Sequence, residues 1–531
     1  MKKFLALLLA LVMVLGLAAC GPKDIADDTK PNDSNPADTT PTEPEDTIIP
    51  ADELTHDEAV TLQLLMPDTT RRDRDVVAEA AVKLVKDELN VDLDIIWIPS
   101  GETPNTVMST GKGWDVGYCD SAIFQNMAAR NAYLDLGPYI EKGYLSYPLE
   151  YLTEDQKSGH VIGGKQLGIA PIKDLAQGWN WIYNATVIED QLGLTVPEWQ
   201  SGFDLVDHWY DIKDKAKGTE WENNVIGGPG QVYLPFWFQF DEFVGSMNDI
   251  LVCSNMDLEK FSSFDDIDPM KAFCPYFTED FANWVKLRKK LVDDGIDWGY
   301  QKDSGDARSH TNGGYLFTST CGNIVFSNPS TDYELKMTNA KLALASTGYI
   351  QAVSLVVNNN TEYPERALEL LNFMYENDEW NTLWRAGIKD NHWFDADNNG
   401  ILEWNADVHA KGGYSRHWYG GGMSHSLLSG ILDAAVTTSR EDFVDALINL
   451  NTNSFVSPHL GFTFDQSKVV NEIAACAGTV TEYMTQICYS PAAITDVDAT
   501  IKAFQDKLIA NGVEKIVAEV QAQLDAFHAA K

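Results

Sequence analysis

Arg416-His-Trp418-Tyr-Gly-Gly-Gly422 sets a guanidinium and flat rings on a glycine-rich backbone. Rings cover apolar faces and a guanidinium forks onto oxygen, so the segment suits non-covalent capture of a polar ligand. It equally suits a tight surface turn. Tyr233-Leu-Pro-Phe-Trp237-Phe-Gln-Phe240 is denser still in aromatics, and reads either as a stacking wall or as a buried cluster. Covalent chemistry has no comparable organisation. The chain contains no G-x-S-x-G, no phosphate-binding P-loop and no G-x-G-x-x-G after a strand, so neither catalysis nor a cofactor is expected. A glycosidase pair needs only two carboxylates at a suitable separation, and 79 Asp and Glu leave that rival open. Asp395-Ala-Asp397-Asn-Asn399-Gly400 copies the start of an EF-hand loop. Its twelfth position is Ala406, where a bidentate Glu is required, so no metal is expected. The ten His are scattered and H-E-x-x-H is absent.

The N-terminus fixes the compartment. Lys2 and Lys3 precede the apolar stretch Phe4 to Leu17, which is shorter than the roughly 20 residues that span a bilayer. Leu17-Ala-Ala-Cys20 then looks like a bacterial lipobox, which implies cleavage before Cys20 and lipid attachment to it. Residues 1–19 are thus read as a lipoprotein signal peptide. The mature chain is expected at the extracellular face of the cell membrane, held by its lipid alone. Residues 20–57 are rich in Asp, Thr, Pro and Glu and nearly free of aromatic residues. Such a segment cannot bury enough surface to offset its ordering entropy and reads as a disordered linker. The formal net charge of −40 repels phosphate backbones and excludes nucleic acid as a partner. Besides Cys20 there are Cys119, Cys253, Cys274, Cys321, Cys476 and Cys488, dispersed and without a C-x-x-C pair. They read as small buried hydrophobes, with no bridge assignable.

The body must position whatever binds. Val60 to Met66 reads as a strand, Val76 to Leu89 as an amphipathic helix, and Leu93 to Ile98 as a second strand. A crossover of that length implies parallel pairing and an α/β core. Further strands are expected at Trp114–Tyr118, Asn180–Asn184, Asn323–Phe326 and Ile350–Val357. Helices are expected at Phe281–Asp294, capped by Thr278 and stopped by Gly295, and at Pro364–Asn377. Two amphipathic helices separated by Asn511-Gly512 close the chain.

Several segments in this order resemble the extracellular solute-binding proteins of family 1, sugar-type lipoproteins that feed ABC importers. They are Gly113-Trp-Asp-Val-Gly-Tyr118, Asn131 to Ile140, Trp181-Ile-Tyr-Asn184 with Pro197-Glu-Trp199, Glu365-Arg366-Ala367 with Phe373, and Ala386 to Trp393 with Gly400. Gly461-Phe-Thr-Phe-Asp465, Glu482-Tyr483 and Glu519 to Asp525 are similar to the C-terminal block of a branch associated with complex sugars. Glu198 departs from the Thr of the pattern, and Trp221 to Ser263 matches nothing in it.

The resemblance implies a two-lobe periplasmic-binding-protein-like α/β fold of type II, with hinge crossovers and a ligand cleft between the lobes. It suggests 58–178 plus 346–455 for one lobe and 184–335 plus 456–531 for the other. It further implies a monomer that closes on an oligosaccharide and delivers it to the ABC permease membrane subunits. A polysaccharide-degrading surface lipoprotein, a receptor for a non-sugar solute such as a peptide, and an adhesive protein are the rivals. On this reading a sugar offers C–H faces to rings and hydroxyls to polar groups at strand ends. Asp120 directly follows a strand, and either binds ligand or caps the next helix. Trp179 and Trp181 share one face of a strand, directed either to the cleft or to the core. Trp237, Asn328, Tyr333, Tyr349, Gln351, Arg416 and Trp418 complete the candidate ligand set.

Overall fold

Three parallel strands with one antiparallel neighbour form the sheet on which the first half of the molecule is built. The computed structural model describes residues 48–67, 72–99, 104–176, 178–197, 201–227, 233–245, 249–256, 264, 267–297, 315–321, 332–337, 343–409, 426–433 and 439–531. Strand β1 (Val60–Pro67) leads to helix α1 (Arg74–Leu89) and strand β2 (Val91–Ile98). Val77, Ala81, Val85 and Leu89 recur every four residues and are the buried stripe of α1. The helix stops at Asn90, whose backbone turns left-handed (φ 52°) while its N–H returns to the Lys86 carbonyl. Strand β3 (Val116–Cys119) pairs parallel to β1 and is buried throughout, as a strand covered on both faces requires. It runs directly into helix α2 (Ser121–Ala128).

The chain then enters a second core. Strand β4 (Trp179–Asn184) is followed by a three-stranded antiparallel sheet of β5 (Phe240–Val244), β6 (Val252–Asn255) and β7 (Ala272–Phe273). Helix α3 (Glu279–Asp293) begins where the Thr278 hydroxyl accepts the Phe281 N–H, the expected cap. Strands β8 (Phe317–Cys321) and β9 (Leu335–Met337) flank β4 in antiparallel fashion. Strand β10 (Leu344–Ala345) opens the return to the first sheet, where β11 (Ser354–Val357) lies antiparallel to β3. Helix α4 (Pro364–Glu376) packs into the first core, with Leu368, Leu371 and Met374 fully buried. Strand β12 (Phe455–Val456) pairs with β10. Helices α5 (Val470–Tyr489), α6 (Val497–Ala510) and α7 (Val513–Ala530) finish the second core.

Two large apolar clusters follow from this path. One draws on residues between Leu62 and Leu175 and again between Ile350 and Leu460. The other draws on residues between Trp181 and Phe317 and again between Phe462 and Leu524. The chain therefore passes between the cores three times. Each fully buried Leu, Ile or Phe contributes about 1.5–3 kcal/mol, so each core is held by its own apolar burial.

Some expectations shift. The strand expected at Trp114–Tyr118 begins only at Val116, and Trp114 before it is a buried core side chain. Ile350–Val357 is not one strand: a turn of helix at Thr347–Ile350 precedes β11. The segment Asn323–Phe326 lies outside the described residues, as does the whole of residues 1–47; the observed strand in that region is Phe317–Cys321. Asp395 accepts the Asn399 and Gly400 N–H groups, which makes that segment a closed turn. Cys119, Cys253, Cys274, Cys476 and Cys488 are buried free thiols.

Candidate functional site

A cleft of about 350 Å³ opens between the two cores. One wall is Ser121 and Gln125 of α2, whose Ile123 and Phe124 cluster with Leu65, Cys119 and Val356 of the first sheet. Because α2 starts at the carboxyl end of β3, its first turn lies where ligands of open α/β sheets are held. The opposite wall is Asp241 to Gly245, on β5 and the turn that ends it, with Phe462, Phe464 and Ile473. Gly245 has φ 79°, and a Cβ there would meet the Asp249 carbonyl oxygen at 2.0 Å, so only glycine closes this turn. Thr347 and Gly348, on the return crossover, form the floor.

The α2 wall is braced from behind. Gln351 is fully buried and donates from Nε2 to the Gly159 carbonyl at 2.6 Å. Its Oε1 accepts Gln125 Nε2 at 2.9 Å and the Ser121 hydroxyl at 3.4 Å. One buried amide thereby fixes two cleft-lining side chains.

On the β5 wall the pairing with β6 shifts register between Glu242 and Val244, which leaves Phe243 at a bulge, and both Asp241 and Phe243 line the cleft. Asp241 is 3% exposed and its carboxylate accepts the Ser457 hydroxyl. Burial pushes its pKa up to about 6, against the lowering pull of that hydroxyl and of the Glu242 backbone N–H. Phe243 meets Phe462 edge-on, with centroids 5.2 Å apart, and His459 at 5.4 Å.

The crossovers are tied to one another beside the cleft. The Ser457 N–H donates to the Ala345 carbonyl, and the Gly461 N–H to the Thr347 hydroxyl at 2.8 Å. His459 Nε2 faces the Pro269 carbonyl at 3.0 Å and must donate to it. Its Nδ1 is then the acceptor for His528 Nε2, 2.9 Å away. Burial pushes the His459 pKa down to about 4.

The residues singled out from sequence divide sharply. Asp120 is exposed beside Ser121 and caps α2, Oδ1 accepting the Ile123 N–H at 2.9 Å. Gln351 stands behind the cleft wall as a brace. Tyr349 is half-buried on the floor crossover and donates to Asp174 Oδ2 at 3.3 Å. Trp181 does not face a cleft: it is fully buried and packs edge-on against Trp209, Phe236 and Phe317. Trp237 is likewise core, against Phe203 and Trp209. Both rings satisfy the apolar demand of the second core, which a sheet of short strands alone cannot fill. Tyr333 packs on Trp221 at the edge of that core. Trp179 lies in β4. Asn328, Arg416, Trp418 and the lipobox Cys20 lie outside the described residues. Among the described residues no group of three or more His, Cys, Asp or Glu is placed to hold a metal ion.

Asp241 and Phe243 escaped the sequence reading, in the stretch that matched no pattern. The available signal was a carboxylate inside the apolar run Phe240-Asp-Glu-Phe-Val244, since Asp is depleted from strands.

Comparison with known proteins bears out the resemblance drawn from the motifs. A curated relative from Streptococcus pneumoniae, described as a carbohydrate ABC transporter substrate-binding protein, is 24% identical over 470 residues. The match covers 84% of this chain and 87% of the relative. A sequence family described as a domain of unknown function (DUF3502) matches residues 458–529, from the last crossover through α7. The crystal structure of the N-glycan transport solute binding protein NgtS from Streptococcus pneumoniae superposes with a TM-score of 0.69 at 19% identity, covering 88% of this chain and 99% of that one. NgtS in complex with Man5GlcNAc gives 0.60 at 19% identity, over 89% of this chain and 99% of that one. An extracellular solute-binding protein from Bifidobacterium longum subsp. infantis gives 0.53 at 14%, with the same coverage. The chain has the two-lobe α/β fold of these solute-binding proteins.

Proposed function

We propose that this chain is the extracellular substrate-binding component of an ABC importer, and that it captures an oligosaccharide by closure of its two lobes without altering it. The observation that carries this reading is the cleft with one wall from α2 on the first sheet and the other from β5 of the second core. A ligand that touches both walls stabilises the closed arrangement by its differential affinity alone. The lining fits the ligand class: the Phe243, Phe462 and Phe464 rings suit C–H faces, while Ser121, Gln125 and Asp241 suit hydroxyls. The described relative handles carbohydrate and the NgtS complexes hold Man1GlcNAc and Man5GlcNAc, which supports glycan over peptide. On the same reading the lobes are 58–178 plus 346–455 and 184–335 plus 456–531, Cys20 carries the lipid anchor, and the closed lobes are read by permease membrane subunits.

Calorimetry against a panel of mannose- and N-acetylglucosamine-containing oligosaccharides tests the reading, with a reducing-end assay run on the same mixtures. Saturable binding with no new reducing ends is expected. Release of reducing ends would instead establish the hydrolytic rival, and binding of peptides alone would establish a non-sugar receptor.

A further inference from the structure

One buried carboxylate lies where the cleft meets the crossovers. Asp241 lines the cleft yet is 3% exposed, and no Lys, Arg or His among the described residues compensates its charge. A carboxylate has about four acceptor positions. Among the described residues two donors reach it: the Ser457 hydroxyl, and the Glu242 backbone N–H. Burying a charge on so few neutral donors is costly. The groups packed around it explain no better. Burial, with the carboxylates of Asp241 and its strand neighbour Glu242, pushes the Cys253 thiol on β6 up, so that thiol is neutral and offers no positive charge. Ser121 and Gln125 across the cleft are neutral. His459 on the crossover is committed to Pro269 and His528.

Ser457 makes the placement informative. It follows β12, on the crossover between the cores, and its own N–H is tied to the return crossover at Ala345. The Asp241 side chain thus sits at a junction, with the cleft on one side and the paired crossovers on the other.

We propose that Asp241 is a ligand-binding carboxylate that couples occupancy of the cleft to the hinge, accepting hydroxyl donors from the bound glycan while Ser457 holds it to the crossovers. This deepens the glycan-capture reading and rests on it. A sugar hydroxyl supplies the donor that the protein withholds, so the ionised form is stabilised only when the cleft is filled. Protonation removes an acceptor and weakens binding. Affinity should therefore fall as pH drops through the region of 6 in which Asp241 titrates.

The test uses the mature chain and the best-binding oligosaccharide of a panel that includes Man5GlcNAc, by calorimetry from pH 5 to pH 8. Asp241→Asn is expected to weaken binding at least tenfold at pH 7.5 and to abolish the acid loss seen in the unmodified protein. Ser457→Ala is expected to retain most of the affinity but to compact less on binding, as read by small-angle scattering. Affinity within twofold of the unmodified protein for Asp241→Asn would overturn the inference and leave glycan capture standing. A flat pH profile of the unmodified protein would overturn it even if Asp241→Asn failed to fold. No binding of any oligosaccharide would overturn both.

Discussion

Two buried carboxylates flank the crossovers, and they are treated in opposite ways. Asp174 lies against Lys173, whose Nζ donates to the Asp174 carbonyl at 2.7 Å and approaches its Oδ1 at 3.4 Å. The Tyr349 hydroxyl donates to the other oxygen, and the same ammonium stands 4.6 Å over the Tyr349 ring. Asn451 locks the segment by donating to the Lys173 carbonyl and accepting the Leu175 N–H. Burial pushes Lys173 down and Asp174 up, and their mutual attraction opposes both shifts. Among the described residues Asp241 receives no cation, only neutral donors. A paired buried charge braces one crossover; an uncompensated one, open to a cleft, is available to a ligand. Stability and binding thus reside in chemically similar residues told apart by their partners.

The contrast is broken most severely at the paired site. Asp174→Ala leaves Lys173 buried without its carboxylate and should destabilise by about 3–5 kcal/mol, read by urea denaturation. An unchanged midpoint would mean the pair is not a brace.

Asp241→Asn should act with the opposite sign. Its folded pKa, about 6, lies above the usual carboxylate value of 3.8, so the native state holds the proton more tightly. The favourable contribution is complete below the lower value and is lost as pH rises through the upper one. Replacement by an amide should then raise stability by up to about 3 kcal/mol above pH 6 and by nothing below pH 4. His459, pushed down to about 4, works the other way: its contribution is present above 6.5 and lost as pH falls toward 4. In the unmodified protein the two trends oppose one another across the same window. Removing the carboxylate should expose the acid sensitivity of the histidine, which thermal melts from pH 4 to pH 8 would reveal.

Gln351→Ala removes the partner of the Gly159 carbonyl and of the Gln125 amide, and should cost about 1–3 kcal/mol. It sharpens the comparison from the α2 wall, since weaker oligosaccharide binding beyond that loss would show the wall to be positioned by this amide. Smallest is Asp120→Ala, which removes a helix cap for about 1 kcal/mol. Reduced affinity in addition would give Asp120 a ligand role, and unchanged affinity would leave it a cap.

The sheet of the first core was legible because its signals are local. The spacing in α1 and the apolar runs of β1 and β2 each lie within one element, as does the Thr278 cap of α3 in the second core. The C-terminal helices separated by Asn511-Gly512 were legible for the same reason. Side-chain destinations were not. Trp181 and Trp237 carry the ring chemistry of a sugar site, but their burial depends on Phe203, Trp209, Phe236 and Phe317, which other parts of the chain bring to them. Gln351 was visible as a polar candidate, yet its role depends on Gly159, 192 residues away in sequence. Asp241 belongs to no motif, and its significance appears only once Ser457 is brought to it by the third crossing.

The central claim is that the two cores close on an oligosaccharide between them. Small-angle scattering of the mature chain, with and without a saturating oligosaccharide, tests it most directly. A smaller radius of gyration on binding is the predicted result; saturable binding with an unchanged scattering profile would contradict it.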